Sequence, residues 1–365
     1  MARGSNVLCV NGGSSSVKVA LYRLAPDDEI HLASELVEGS DPDRGIQKAL
    51  DALRNRGLPG PDAIGHRLVH GGPNHCRPER IDAPLLASLR LAVPFAPLHL
   101  PAEIRAIEAA QERFPGLPQV ACFDTGFHRR LPAVTRHLPL PWALYEQGIR
   151  RYGFHGLSYE YVVATLGTAL GRRAIIAHLG NGASMVAVES GEAVDTTMGL
   201  TPAGGFMMGT RTGDLDPGVL FHLLDIGYSQ SDLDRMLNHE SGLLGVSGAS
   251  ADMRTLLARR ASDPRAALAV AMFCYHARKA IGALAAVMGG LDTLVFTGGI
   301  GEHAVPVRSE ICERLGYLGI ALEPRRNDQS EAVISTSAAR CTVRVIATDE
   351  QRTIARHVRR VLFSS

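Results

Sequence analysis

Lysine is scarce in this chain: it stands only at Lys18, Lys48 and Lys279 among 38 basic residues. Arginine carries the rest of the positive charge, and 38 Lys plus Arg against 37 Asp plus Glu leaves a formal net charge of +1. Such a balance excludes a protein that neutralises nucleic-acid phosphates over a broad basic face. It leaves room for a local arginine cluster around a small anion. Aromatic residues make up 5% of the chain with one Trp, yet 45% hydrophobic content is enough for a core and excludes a disordered or fibrous chain. The six cysteines, Cys9, Cys76, Cys122, Cys274, Cys312 and Cys341, show neither a C-x-x-C pair nor a disulfide-framework spacing. A reducing cytoplasm is therefore expected. Long apolar runs are missing too. After M-A-R-G-S-N the run from Val7 to Val10 is far short of a secretory core. The most apolar later stretch, 266–288, contains Tyr275, His276, Arg278 and Lys279, which predicts a buried Ala-rich helix rather than a bilayer span. A chain of 365 residues exceeds one ordinary core, so two domains with a cleft between them are expected.

The β-rich runs 6–10 and 17–24 flank the turn G-G-S-S-S, a strand, a tight small-residue turn and a second strand. The run 173–178, then L-G-N-G-A-S, then M-V-A-V-E repeats that arrangement. Two half-length units opening on the same hairpin predict a duplicated α/β fold that faces a shared cleft. Further helices are expected at 43–56, 101–114, 229–238, 249–260, 264–288 and about 351–362, with strands at 63–69, 119–123, 293–296 and 342–347. The Pro-rich stretch 131–141 is the best boundary, because it can continue neither a helix nor a central strand.

Several short segments carry residues suited to chemistry. Asn11, Ser14, Ser16 and Lys18 sit on or beside the first turn, where backbone N–H groups and hydroxyls make a cradle for phosphate oxygens. No Walker loop is present. The three histidines His66 and His70 of H-R-L-V-H-G-G and His75 shortly after it lack the nearby Cys or carboxylate that would complete a zinc set. Arg67 is the better candidate there, as a fork for a carboxylate or phosphoryl group, with a surface salt bridge as the bland alternative. Asp124 follows a strand directly, where α/β enzymes place magnesium ligands and bases, or else it caps a helix. His155 lies between glycines beside aromatics, a setting equally typical of a satisfied buried histidine. The Gly-rich stretch 198–217 reads as a cleft-lining loop presenting Arg211, with Met207 and Met208 as packing. T-G-G-I-G-E lets a nucleotide approach the backbone. In T-D-E, one acid suits magnesium and the other the cap of the last helix.

Together N-G-G-S-S-S-V-K, G-H-R-L-V-H-G-G, A-P-L-H, F-D-T-G-F-H, R-Y-G-F-H-G, H-L-G-N-G-A-S, M-G-T-R-T-G-D-L-D-P, G-G-I-G-E and T-D-E occur in an order and spacing that resembles the acetate kinase family over nearly the whole chain. The resemblance implies two ribonuclease H-like domains, the duplicated actin-like ATPase fold, with nucleotide in a central cleft. Domains are then expected at 1–130, joined by a C-terminal helix at about 352–365, and at 131–351. It also implies a homodimer, and reversible transfer of the ATP γ-phosphoryl group to acetate with magnesium, giving acetyl phosphate and ADP.

Residue by residue, the resemblance implies that Asn11 and Glu350 are associated with Mg2+, and that Ser14, Ser16 and Lys18 contact phosphates. Arg67 matches the arginine for the acetate carboxylate, with Val69, Leu98, Phe154 and Pro202 around its methyl group. Asp124 matches the catalytic aspartate, and His155 and Arg211 the pair that stabilises the transition state. Three nucleotide-binding segments map to His178, Leu179, Gly180, Asn181 and Gly182; to Asp252, Met253 and Arg254; and to Gly299, Ile300, Gly301, Glu302 and His303. The chain departs from the family at Ala203-Gly204-Gly205-Phe206, at Leu100 after A-P-L-H, and at His303, where Asn is usual. These departures bear on acyl-chain preference, and propionate is the sister substrate. An actin-like nucleotide switch would need the hairpins but not Arg67, His155 and Arg211.

Overall fold

The computed structural model describes residues 4–12, 16–26, 28–38 and 42–363. The chain forms two compact units, one from 1–129, 154–161 and 349–365, the other from 130–153 and 162–348.

The first unit holds β1 (Asn6–Gly12), β2 (Ser16–Leu24), β3 (Glu29–Glu38), β4 (Ala63–Leu68), β5 (Glu79–Arg80) and β6 (Gln119–Phe123) in the order β3-β2-β1-β4-β6-β5. β1, β2 and β3 form an antiparallel meander, and β1, β4 and β6 run parallel. Side chains alternate across this sheet as the strand repeat requires. Leu8 and Val10 face one cluster with Leu50, Leu53, Ala106 and Ala110 of the helices Pro42–Asn55 and Leu100–Arg113. Val7 and Cys9 face the other, with Ile354, Ala355 and Val358 of the helix Glu350–Leu362.

That last helix is anchored by charge as well. Asp349 caps it, accepting from the Arg352 N–H at 3.0 Å, and the Tyr22 hydroxyl donates to the Asp349 carboxylate at 2.9 Å. Glu29 of β3, only 5% exposed, faces Arg352 at 3.5 Å, Arg356 at 2.8 Å and Arg359 at 3.0 Å. These arginines recur every three or four residues, so one helical stripe presents all three.

The second unit repeats the plan with β7 (Arg173–Leu179), β8 (Ala183–Glu189), β9 (Glu192–Thr196), β10 (Thr293–Thr297) and β11 (Thr342–Val345), ordered β11-β10-β7-β8-β9. β7, β8 and β9 are again an antiparallel meander, and β7, β10 and β11 again run parallel. The two sheets thus share one connectivity, and β5 is an added edge in the first. The long helix Pro264–Val287 is capped by Asp263, and its Ala266, Ala269, Val270, Phe273 and Ile281 are buried. No helix among the described residues is long and apolar enough to cross a membrane. The expected helix at 249–260 covers only Met253–Arg259, because Asp252 spends its carboxylate on the Arg254 and Thr255 N–H groups and so fixes the start.

Candidate active site

In the first unit, parallel pairing of β4 with β6 sets Arg67 opposite Cys122 and Leu68 opposite Phe123, so the strand ends present Arg67 and Asp124 together. Arg67 donates to Asp124 Oδ2 from Nε at 3.0 Å and from Nη2 at 2.6 Å, and to Asn11 Oδ1 from Nη1 at 3.2 Å. Asn11 in turn donates from Nδ2 to Glu350 Oε2 at 2.7 Å. Four predicted residues from four distant segments therefore form one hydrogen-bonded chain. Asp124 is fully buried and the Arg67 side chain is 14% exposed, so a surface salt bridge does not describe the pair. Burial pushes the Asp124 carboxyl up, and the Arg67 guanidinium opposes it. Burial also works to lower Arg67, but the Asp124 and Glu350 carboxylates outweigh it and hold the guanidinium charged. A fork has five N–H donors, so this charged group keeps donors beyond the three used here.

The apolar candidates of this unit are ordered alongside. Val69 and Phe154 are buried and Leu98 is half-buried. The turn carrying Phe154 and His155 is tightly held. His155 has φ 57°, a left-handed conformation rare outside glycine, which costs energy and collects at functional sites. The Gly156 N–H donates to the Asp124 carbonyl at 2.9 Å, and a Cβ on Gly156 would lie 2.1 Å from that oxygen. His128 binds the Phe154 carbonyl through Nε2 at 3.0 Å. The other histidines are engaged in structure: His66 with Gln119 at 2.7 Å, His70 with the Gly72 N–H at 2.8 Å, and His75 with Glu79 and Ser88, both at 2.8 Å. Ser14 lies outside the described residues, as does the side chain of Ser16. Lys18 is exposed on β2 directly across the ladder from Asn11.

In the second unit, the three expected nucleotide segments meet. A cavity of about 580 Å3 is lined by Gly180 and Asn181 of the β7–β8 turn, Asp252, Met253 and Arg254, and Gly299, Ile300 and His303, joined by Leu257 and Ala304. Gly299 sits on the second position of the helix Gly298–His303, with nothing within 4 Å of where its Cβ would be. Gly298 has φ 75°, and a Cβ there would lie 2.9 Å from the Leu179 carbonyl oxygen. Gly301 and Leu179 are buried, and Glu302 ties down the helix start: its Oε1 accepts from Gly298 at 2.9 Å and Thr348 at 3.1 Å. Those residues, with His178 and Gly182, frame the segments rather than line the cavity. The loop 198–217 brings Pro202 and Arg211 together, Nη1 of Arg211 donating to the Pro202 carbonyl at 3.2 Å, and buries Met207 and Met208.

Sequence reasoning missed two buried ionisable side chains beside these groups. Glu103, 3% exposed, accepts from the Val69 N–H through Oε2 at 3.0 Å. Arg308, fully buried, donates from Nη1 to the carbonyls of Gly301 and Glu302, each at 2.9 Å. A charge reads as surface in a sequence, and no local pattern marks either one.

Residues 32–356 match the description of the Acetokinase family. The chain is 43% identical to the acetate kinase of Rhodopseudomonas palustris, covering 97% of this chain and 98% of that protein. It resembles the solved acetate kinase of Porphyromonas gingivalis at TM-score 0.84 and 36% identity, covering 98% of this chain and 100% of that one. A propionate kinase structure from Francisella tularensis matches at TM-score 0.89 and 37% identity, with the same coverage. These likenesses extend over the whole duplicated fold and both clusters just described, and the chain belongs to the acetokinase family.

Proposed function

We propose that the chain is an acetate kinase, moving the γ-phosphoryl group of ATP to acetate and, in reverse, that of acetyl phosphate to ADP. The observation that carries this reading is the buried Arg67–Asp124 pair with the apolar Val69 and Phe154 in the same unit, a cation held ready for a small apolar carboxylate. In the forward step a carboxylate oxygen of acetate forms a bond to the γ-phosphorus as the bond from that phosphorus to the β–γ bridging oxygen breaks, and ADP takes the electron pair. Acetate is already an anion, so no proton is removed. Asp124 then serves to orient the Arg67 fork rather than as a base. With little covalent work to do, the protein acts by positioning and by donors to the equatorial oxygens, the roles assigned to His155 and Arg211. Val69, Leu98 and Phe154 of the first unit and Pro202 of the second are the residues assigned to the methyl group.

The cavity lined by Gly180, Asp252 and Gly299 suits the nucleotide, and Ser16 and Lys18, with Ser14, suit its phosphates. Magnesium, when bound, neutralises phosphoryl oxygens. The hard oxygens of Asn11 and Glu350 fit it, and the lack of a group of three or more His, Cys, Asp or Glu ligands among the described residues suits an ion that keeps most of its water. Each compact unit is taken as one domain. The helix Pro217–Asp225 buries none of its residues, and Val219, Phe221 and Leu224, with Ile226 just beyond, are 41–66% exposed. Such a face supports a homodimer in which a second copy covers it. All six cysteines are free thiols, which supports a reducing cytoplasm.

The likeness to a propionate kinase favours propionate as the second reading, with the small Ala203-Gly204 pair beside Pro202 as its source of room. Purified protein with magnesium-ATP and acetate, propionate, butyrate or glycerol, trapped with hydroxylamine, tests all of this. Hydroxamate forms fastest from acetate on this reading. None from any acid, with ATP binding intact, rejects it in favour of a nucleotide switch.

A further inference from the structure

Glu103 is a costly residue where it stands. Its carboxyl is buried in the first unit, on the first turn of the helix Leu100–Arg113. Oε2 accepts from the Val69 N–H at 3.0 Å, while Oε1 is buried with no hydrogen-bond partner. The charged groups that act on it are Arg67 of β4 and Asp124 after β6, the pair assigned to the substrate carboxylate. Val69 itself stands one residue beyond β4, where the parallel ladder no longer fixes the chain. The Glu103 bond replaces that lost restraint.

We propose that Glu103 is a positioning residue for acyl-chain specificity: it pins the Val69 peptide, and with it the apolar end of the carboxylate pocket, beside the Arg67 fork. This rests on the carboxylate-kinase reading of the same site. The carboxyl also serves Arg67. Burial raises its pKa to about 8, with Arg67 and the Val69 N–H acting the other way and Asp124 adding to the rise. At neutral pH the group is then the neutral acid, so an incoming carboxylate meets Arg67 without a second competing anion. Above that pH the ionised form repels the substrate carboxylate.

The test uses Glu103→Gln, which keeps an acceptor, and Glu103→Met, which does not. Both are measured in the full-length protein for kcat and KM with acetate, propionate and ATP from neutral pH to about pH 9. Parent activity is established first, since a parent making no acyl phosphate rejects the kinase reading itself. With an active parent, Glu103→Met shifts the acetate-to-propionate ratio of kcat/KM towards propionate by about tenfold, the equivalent of one lost hydrogen bond, with KM for ATP unchanged. Glu103→Gln keeps the ratio and loses the rise of the acetate KM with pH that the parent shows. A ratio unmoved in Glu103→Met overturns the proposal. Should that variant fail to fold, an acetate KM in Glu103→Gln that rises with pH as in the parent overturns it instead.

Discussion

Two neighbouring glycines should respond to alanine in opposite ways. At Gly299 a new methyl meets no protein atom within 4 Å, and the residue lies in a helix, so the protein itself has no objection. Replacing Gly by Ala at a compatible position stabilises by about 0.4–1 kcal/mol, chiefly through the unfolded chain. For a domain of this size that is a rise of roughly 1–4 °C in the Tm of the second unit. The methyl would, however, stand in the cavity assigned to the nucleotide. Overpacking a contact costs about 1–3 kcal/mol, or about 5- to 150-fold in an equilibrium constant. Gly299→Ala is therefore expected to raise Tm and KM for ATP together, with KM for acetate unmoved. Gly298→Ala is the contrast. Its φ of 75° costs alanine about 1–2 kcal/mol, and its Cβ would also press on the Leu179 carbonyl at 2.9 Å. A fall of about 2–4 kcal/mol is expected. Calorimetry gives both Tm values, and coupled steady-state kinetics give both KM values. An unchanged KM for ATP in a stabilised Gly299→Ala would refute the placement of the nucleotide against this helix.

Asp124→Asn removes the partner of a buried guanidinium, and hydroxamate formation should fall by about a hundredfold or more at saturating magnesium; most of the activity surviving would remove Asp124 from the mechanism. Glu29→Gln leaves three arginines of the last helix facing one another, and because they are 23–35% exposed the loss in denaturant-measured stability is discounted to about 1–3 kcal/mol. An unchanged denaturation midpoint would show that this cluster anchors nothing. Phe221→Asp puts a charge on the uncovered helix face, and sedimentation should find monomer where the parent is a dimer; a dimer of undiminished strength places the interface elsewhere.

The duplication was legible because both halves open on a Gly-rich turn between apolar runs, a pattern local in sequence, and both turns join antiparallel strands. The third strand of the first meander was not. E-I-H-L-A-S-E-L-V-E starts with Glu29, whose burial depends on arginines more than 300 positions away, and no window shows that. The same distance rule governs the site. Arg67 and Asp124 could each be singled out, but their pairing across 57 positions follows from the ladder between β4 and β6. Phe154–Tyr161 belongs to the first unit although its neighbours on both sides belong to the second. Its ties are the Gly156 N–H on the Asp124 carbonyl, the His128 and Thr353 side chains on the Phe154 and Leu157 carbonyls, and His357 on Glu160, all contacts between residues far apart in sequence.

The interrupted course of the first unit has a cost during synthesis. Val7, Cys9, Val120 and Cys122 are covered by Ile354, Ala355 and Val358. At roughly 5–20 residues per second, a ribosome needs on the order of ten to fifty seconds after Cys122 to deliver the helix that covers them. For that interval the first unit presents an apolar face while β7 to β10 of the second unit are made, and β11 follows only just before the last helix. The nascent chain thus offers a timed binding site for holdase chaperones, closed only by the arrival of the last helix.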